Sequence, residues 1–338
     1  MKVLENISLQ QYHTFGFEVF AKELVCVESI EDVINILRQM KPKKFIFLGE
    51  GSNILFIEDY DGMVIINKIK GKSIDKISES EILVSSFSGE NWHEFVLWTI
   101  QQNAFGLENL SLIPGSIGAA PMQNIGAYGK EVKNYITKVE AINLQTFEIE
   151  CFTNDECDFG YRESIFKRKL KDKYFILKVH FKLETIYSWK ANCEYGDIKK
   201  ILEENTIQHP SAIAISNAVI EIRTRKLPNP KEIGNAGSFF KNPVVERNVL
   251  EKILQKHPAV PYYYINEKSV KIPAAWLIET LDFKGKTFGN VGVHKNQALV
   301  LVNYGNGKGN EIFNLSEQII QAVKNEFSIE LEREVNIV

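Results

Sequence analysis

The chain has 338 residues, 44% of them hydrophobic and 25% charged, which is enough material for two or three domains with buried cores and excludes disorder or collagen-like repetition. A formal net charge of −3 provides no broad positive field for a nucleic acid or an anionic membrane, so any anionic ligand has to be met by local groups. Neither the stretch Met1–Phe15 nor any later apolar run has the length of a signal-peptide core or a bilayer span, which sets the expectation of a cytoplasmic protein.

Ser29 and Asp32 form a capping-box pattern ahead of Ile30, Val33, Ile34 and Leu37, which recur at helical spacing and predict a helix. The apolar run Phe45–Leu48 predicts a strand, and the turn Gly49-Glu50-Gly51-Ser52-Asn53 follows it. Strands are predicted at Met63–Asn67 and Ile82–Phe87, and a helix from about Asn91 carries Trp92, Phe95, Val96 and Ile100. From Gly106 to Val132 the chain turns rich in glycine, proline and small residues, and a loop of that length is usually functional. Further strands are expected at Lys138–Leu144, Thr146–Phe152 and Tyr174–Leu183. Lys226-Leu227-Pro228-Asn229-Pro230 reads as a rigid linker at a domain boundary. Beyond it come a glycine-rich loop at 234–238, a helix at Ala274–Leu281, a strand at Ala298–Val302, a helix carrying Ile319, Ile320, Val323 and Phe327, and a terminal strand at Leu331–Val338.

Several familiar chemistries fail on spacing. The third small residue of a dinucleotide fingerprint starting at Gly49 would stand at position 54, which is Ile54, and no helix opens there. Gly71-Lys72-Ser73 and Gly285-Lys286-Thr287 resemble P-loop tails, but the glycines required upstream are Ile66 and Thr280. Ser238 lacks the flanking glycines of a hydrolase elbow. Four cysteines without a C-x-x-C pair predict reduced structural thiols, and six scattered histidines predict no metal site. What remains is Gly49–Asn53 and Pro114–Gly129, whose backbone could approach a pyrophosphate with no side chain in the way; as turns alone they are equally ordinary.

Six segments taken together go further. Gly49–Asn53, Ile113–Pro121 with Gln123–Gly129, Tyr161–Phe166, Gly234–Pro243, His294–Val300 and Leu331–Val335 resemble, in this order, segments of the UDP-N-acetylenolpyruvoylglucosamine reductase family, with coverage from about Thr14 to Val335. The resemblance implies an α+β chain: a two-lobed FAD-binding domain of the vanillyl-alcohol-oxidase (PCMH) type over 14–186, with subdomains of about 1–70 and 71–186. An insert and linker at 187–226, an α+β substrate-binding domain at 227–328, and a terminal strand at 329–338 returning toward the flavin-binding half complete the expected layout. Tyr195-Gly196-Asp197 within the insert resembles the type I branch, in which a tyrosine closes over a sugar nucleotide. Two departures are Arg333, where proline is frequent, and Glu163, where aspartate is usual.

Noncovalent FAD is implied, against Gly49, Gly51, Ser52, Asn53, Pro114, Gly115, Ser116, Gly118, Ala119, Asn124, Gly126, Ala127, Tyr128 and Tyr161. NADPH is the implied reductant and UDP-N-acetylglucosamine enolpyruvate the implied substrate, in peptidoglycan synthesis, by a monomer with no nucleic-acid or membrane partner. The implied catalytic residues are Arg162, binding the substrate carboxylate, Ser238, donating the proton, and Glu334, hydrogen-bonding the intermediate in its protonated form. Tyr195, Lys226, Asn242 and Gln297 would hold the sugar nucleotide. Another flavin oxidoreductase of the same fold, or a sugar-nucleotide-binding protein without turnover, stays open as an alternative; either leaves the arginine, serine and glutamate segments unexplained.

Overall fold

A computed structural model describes residues 2–76 and 78–338, so Met1 and Ile77, which fall inside the expected subdomains, lie outside the described residues. The chain divides into two compact units, one of 1–7, 21–50 and 61–225, the other of 8–20, 51–60 and 226–338. Strand pairing is antiparallel through most of the chain and helices are interspersed, as the α+β class requires.

The first unit opens on a sheet in the order Leu4–Ser8, Phe20–Val27, Tyr60–Asn67, Phe45–Leu48, with the last two strands parallel and Phe45 opposite Met63. Helix α1 (Ile30–Asn35) covers it, starting at the predicted capping box: Ser29 Oγ accepts from Asp32 N at 3.1 Å, and Asp32 Oδ2 accepts from Ser29 N at 3.1 Å. Val33 of this helix and Ile36 and Leu37 of the π-helical turn Ile36–Met40 that continues it pack with Val25, Met63 and Ile65 into one core.

A second sheet runs Ile149–Thr153, Ile136–Asn143, Tyr174–Glu184, Glu81–Phe87, Lys72–Lys76. Helix α2 (Trp92–Gln101) lies with its core, where the rings of Trp92, Phe95 and Phe181 meet tilted at 5.2–6.3 Å between centroids. Asn91 caps this helix, its Oδ1 accepting from Glu94 N at 2.8 Å. The 106–132 loop is broken by 3₁₀ turns at Glu108–Leu110 and Ile117–Ala119 and by a small hairpin, Gly126–Ala127 against Lys130–Glu131. The insert forms α3 (Ile198–Glu204) and α4 (Ala212–Lys226), which share a core of Ile201, Ile215, Val219 and Ile222.

The second unit holds α5 (Arg247–Lys256), α6 (Ala274–Thr280) and α7 (Gly309–Phe327) beside a sheet of Gly234–Ser238, Val300–Asn303, Val291–Val293 and Thr287–Phe288. Two expectations are corrected here. The stretch 234–238 is a strand, paired Gly234 to Asn303 and Ser238 to Val300, because a bulge between Asn235 and Ser238 absorbs the glycines. The terminal strand is only Asn336–Ile337, parallel to Ile54–Leu55, since Arg333 meets the preceding chain through a single bridge to Phe240. The predicted strand at 298–302 lies at Val300–Asn303.

Candidate active site

Within the first unit, Gly49 and Glu50 of one glycine-rich segment meet the other, Pro114–Gly129. Glu50 links them: its Oε2 accepts from Gly115 N at 3.0 Å and its Oε1 from the Asn91 side chain at 2.5 Å. Beside it, a Cβ added to Gly49 would stand 2.6 Å from Ser116 Oγ, so glycine is what lets the segments touch. Gly115 has φ +119°, a conformation closed to other residues, and a Cβ at Gly118 would meet Ser88 Cβ at 2.7 Å. The Gly115 and Gly118 N–H groups are used internally, by Glu50 and by the Ser88 carbonyl at 2.9 Å. These glycines therefore shape the loop's backbone rather than present those two donors outward. In the second unit, Gly51 (φ +62°) lies under the 12–14 backbone, where a Cβ would meet Tyr12 O at 2.1 Å.

Asn124 is fully buried at φ +45°, and its amide is committed: Nδ2 donates to Gly160 O at 2.9 Å and Glu131 Oε2 at 3.2 Å, and Oδ1 accepts from Lys133 N at 3.0 Å. It locks the small hairpin onto the 160–163 turn. That turn presents Arg162 at φ +55°, an uncommon conformation for an arginine. Arg162 Nη2 donates to Gly126 O at 2.8 Å, and the guanidinium lies 5.5 Å from the Tyr161 ring centroid. A Cβ at Gly126 would press on Lys130 O at 2.9 Å and on Arg162 Nη1 at 3.2 Å.

On the same hairpin Tyr128 and Gly129 carry the insert. Gly129 leaves 3.4–3.5 Å between its missing Cβ and Tyr195, and Gly196 approaches the Tyr128 ring at 3.6 Å by the same measure. Tyr195 remains 53% exposed, available to a ligand. Arg223 of α4 hydrogen-bonds the Tyr128 hydroxyl, and its Nε donates to Leu112 O at 3.2 Å. Burial holds the Arg223 pKa below its usual range, the Tyr128 hydroxyl opposes that shift, and the charge of Arg162 adds to it. Two guanidiniums thus face one neighbourhood, and among the described residues Arg223 pairs with no carboxylate.

In the second unit the bulge at Gly237 (φ +69°) turns the strand so that Ser238 ends it, with Gly237 N donating to Asn235 Oδ1 at 3.0 Å. Phe239 anchors the next position against Phe15, 6.5 Å away, which itself stacks on Phe17 at 5.2 Å. The chain's last segment runs alongside: Lys241 N donates to Glu332 O, and Glu334 N to Phe239 O at 2.8 Å, which sets the Glu334 backbone against Phe239, the residue after Ser238. Asn53 braces it, its Nδ2 donating to Glu334 O at 3.3 Å while its own carbonyl accepts from Asn336 N at 3.1 Å. Arg333 docks this segment on α7, through Ser316 Oγ at 2.9 Å, the Glu317 carboxylate and the face of Phe313 at 4.8 Å. Asn242 Oδ1 accepts from Ala274 N at 2.9 Å at the start of α6, and Gln297 Oε1 from Leu299 N at 3.3 Å. Lys226 is exposed at the end of α4, where the second unit begins.

Residues 229–338 match the UDP-N-acetylenolpyruvoylglucosamine reductase C-terminal domain, and residues 21–146 match an FAD binding domain. The UDP-N-acetylenolpyruvoylglucosamine reductase of Flavobacterium johnsoniae is 51% identical over 338 residues, covering 100% of both chains. This chain belongs to the UDP-N-acetylenolpyruvoylglucosamine reductase family. The Escherichia coli K12 reductase is 41% identical over 98% of this chain and 96% of its own. The solved structure of the Thermus caldophilus reductase shares the fold, with a TM-score of 0.64 over 99% of this chain and 98% of that one at 20% identity.

With the reductase family established, the groups to which the sequence reading gave no part are Glu50 and Arg223. Glu50 stands inside the Gly49–Asn53 segment without a role of its own there, and Arg223 lies outside all six segments. Arg223 had a signal, since Ala212, Ile215, Val219 and Ile222 repeat at helical spacing and place the arginine beside a buried stripe. Glu50 had none, because its partners Asn91 and Gly115 lie far along the chain.

Proposed function

We propose that this chain reduces UDP-N-acetylglucosamine enolpyruvate to UDP-N-acetylmuramate in peptidoglycan synthesis, with FAD as bound cofactor and NADPH as reductant. The observation that carries the reading is full-length identity of 51% to a reductase of that name. The convergence of the glycine-rich segments on Glu50 suits FAD, since it creates a backbone-lined approach inside the stretch matched to an FAD binding domain. Gly49, Pro114, Ser116 and Ala119 would line that approach, Gly115, Gly118 and Asn124 would shape it, Gly126, Ala127, Tyr128 and Tyr161 would continue it along the hairpin, and Gly51, Ser52 and Asn53 would bind FAD as the family resemblance implies. When bound, the flavin supplies hydride to the terminal carbon of the enolpyruvyl double bond.

The protein's own groups then manage charge and the proton. Arg162 would hold the substrate carboxylate through its planar guanidinium and stabilise the negative charge that hydride addition pushes onto it, with Arg223 reinforcing the positive field. Ser238 Oγ would donate the proton to the α-carbon, and Glu334, whose backbone pairs with Phe239, would hydrogen-bond the developing anion. Tyr195, Lys226, Asn242 and Gln297 would bind the sugar nucleotide, Lys226 as a point charge toward phosphate. Among the described residues no helix is long and apolar enough to cross a membrane; a cytoplasmic monomer is the form we propose.

The test is anaerobic stopped-flow absorbance with NADPH added first and the enolpyruvyl sugar nucleotide second. The expected record is flavin bleaching followed by substrate-dependent recovery. Bleaching that only oxygen reverses would favour a different flavin oxidoreductase, and a protein that cannot be loaded with flavin would refute the assignment.

A further inference from the structure

Glu108 is a carboxylate with 1% of its surface exposed, and each of its oxygens meets a neutral donor. Its Oε2 accepts from Gly106 N at 2.7 Å and its Oε1 from the indole Nε1 of Trp189 at 2.6 Å. Burying a charge in this way is costly unless each oxygen is met by a well-placed donor, which makes the arrangement specific as well as expensive. The corner around it is built for the purpose. Gly106 takes φ +127°, and a Cβ there would stand 2.5 Å from the Tyr135 ring. Trp189 packs on Phe105 with ring centroids 5.5 Å apart. The adjacent Asn109, fully buried, donates its Nδ2 to Asn192 O at 3.0 Å and to Tyr128 O at 3.2 Å.

Together these contacts tether residues 189 and 192 to the 105–110 corner, three residues before Tyr195, while Asn109 also holds the backbone of the tyrosine over which the insert folds. We infer that Glu108 is a positioning residue for the sugar-nucleotide site: by holding Trp189 it sets where the insert leaves the sheet, and so where Tyr195 stands over Gly129. The inference rests on the reading of Tyr195 as a substrate-binding residue. A carboxylate is required because both neighbours are donors. Glutamine would offer one oxygen and turn its NH₂ toward either the Gly106 N–H or the indole N–H.

The test compares wild type, Glu108→Gln, Trp189→Phe and the double variant, all flavin-loaded. Trp189→Phe keeps an aromatic ring on Phe105 while removing the indole donor, so it answers the question even where Glu108→Gln folds poorly. Each single variant is expected to raise the KM for the enolpyruvyl sugar nucleotide about tenfold, the loss of one hydrogen bond to a charged group, with kcat within about twofold. The double variant should be no worse than the worse single one, since both remove the same bond. The second readout is trypsin cleavage after the exposed Lys190, expected to be faster in the variants and slowed by substrate in wild type. An unmoved KM, parallel losses in kcat and kcat/KM with KM unchanged, or additive effects would overturn the positioning role. A wild type that folds and binds flavin but never turns over, with Lys190 cleavage still accelerated by the substitutions, would leave the tether intact and reject the substrate reading on which the inference depends. A Tyr195→Phe variant with normal KM would sink that dependence directly.

Discussion

Arg162 sits at φ +55° with its guanidinium on Gly126 O, and that conformation is held by neighbours: Asn124 ties the hairpin to Gly160, and the 160–163 turn closes through paired backbone bonds of 2.9 and 3.3 Å. Ser238, at the end of a bulged strand, has the sharper prediction. Ser238→Ala should leave flavin reduction by NADPH nearly normal while slowing reoxidation by substrate roughly 10²–10⁴-fold, the usual range for a lost proton donor. Stopped-flow traces of the two half-reactions measure this, and equal losses in both would remove the serine from the role. At the same scale, the capping box of α1 links stability to pH. The Glu28 N–H, with the side chain and N–H of Ser29, outweighs desolvation and holds the Asp32 carboxyl below its ordinary 3.8. A depressed folded pKa contributes stability that is fully present above 3.8 and is lost as pH falls through the folded value. The stability difference between wild type and Asp32→Asn should therefore be constant near neutrality and shrink below pH 3.8, while Ser29→Ala should cost about 1 kcal/mol by urea denaturation.

Among the elements, α7 has an N-terminus that defies ordinary helix propensity. Gly309 opens it, fully against the 56–57 backbone, and a Cβ there would lie 1.8 Å from Phe56 O and 2.9 Å from Ile57 Cα. Alanine for glycine in a helix normally stabilises by about 1 kcal/mol. Here the sign should reverse: Gly309→Ala is expected to destabilise by roughly 1–3 kcal/mol as overpacked backbone moves apart, and a denaturation midpoint equal to or above wild type would contradict the close packing. The elements also show what pattern reading can reach. The capping box, the cap at Asn91 and the strands at 45–48, 81–87 and 174–184 follow from spacing and local chemistry, so they were legible along the chain. The strand at Gly234–Ser238 was not, because its glycines signal a loop until Val300–Asn303 pairs with it. Likewise most of 331–338 alternates like a strand but finds only the two-residue partner Ile54–Leu55.

For the molecule as a whole, the contrast between a weak net charge and strong local charge decides how an anion is met. At −3 overall, attraction has to come from placed groups such as Arg162 and Arg223. Cofactor binding should appear in global stability. Flavin-free protein titrated with FAD should gain about 2.7 kcal/mol of unfolding free energy at a free concentration 100 times the dissociation constant, read from urea midpoints with and without FAD. No shift at saturating FAD would mean that the glycine-lined approach does not bind it. By itself the sequence determined the α+β class, the order of the glycine-rich segments and the resemblance that singled out Arg162, Ser238 and Glu334, since residue types and their spacing are local properties. Only the tertiary structure decided that Glu50 joins Gly115 across 65 residues, that the Glu334 backbone pairs with Phe239, that Arg333 is spent on α7, and that Glu108 holds Trp189. Each of those is a hydrogen bond between chain segments far apart in sequence, whose partners are chosen by how strands and helices stack and by nothing in the local pattern.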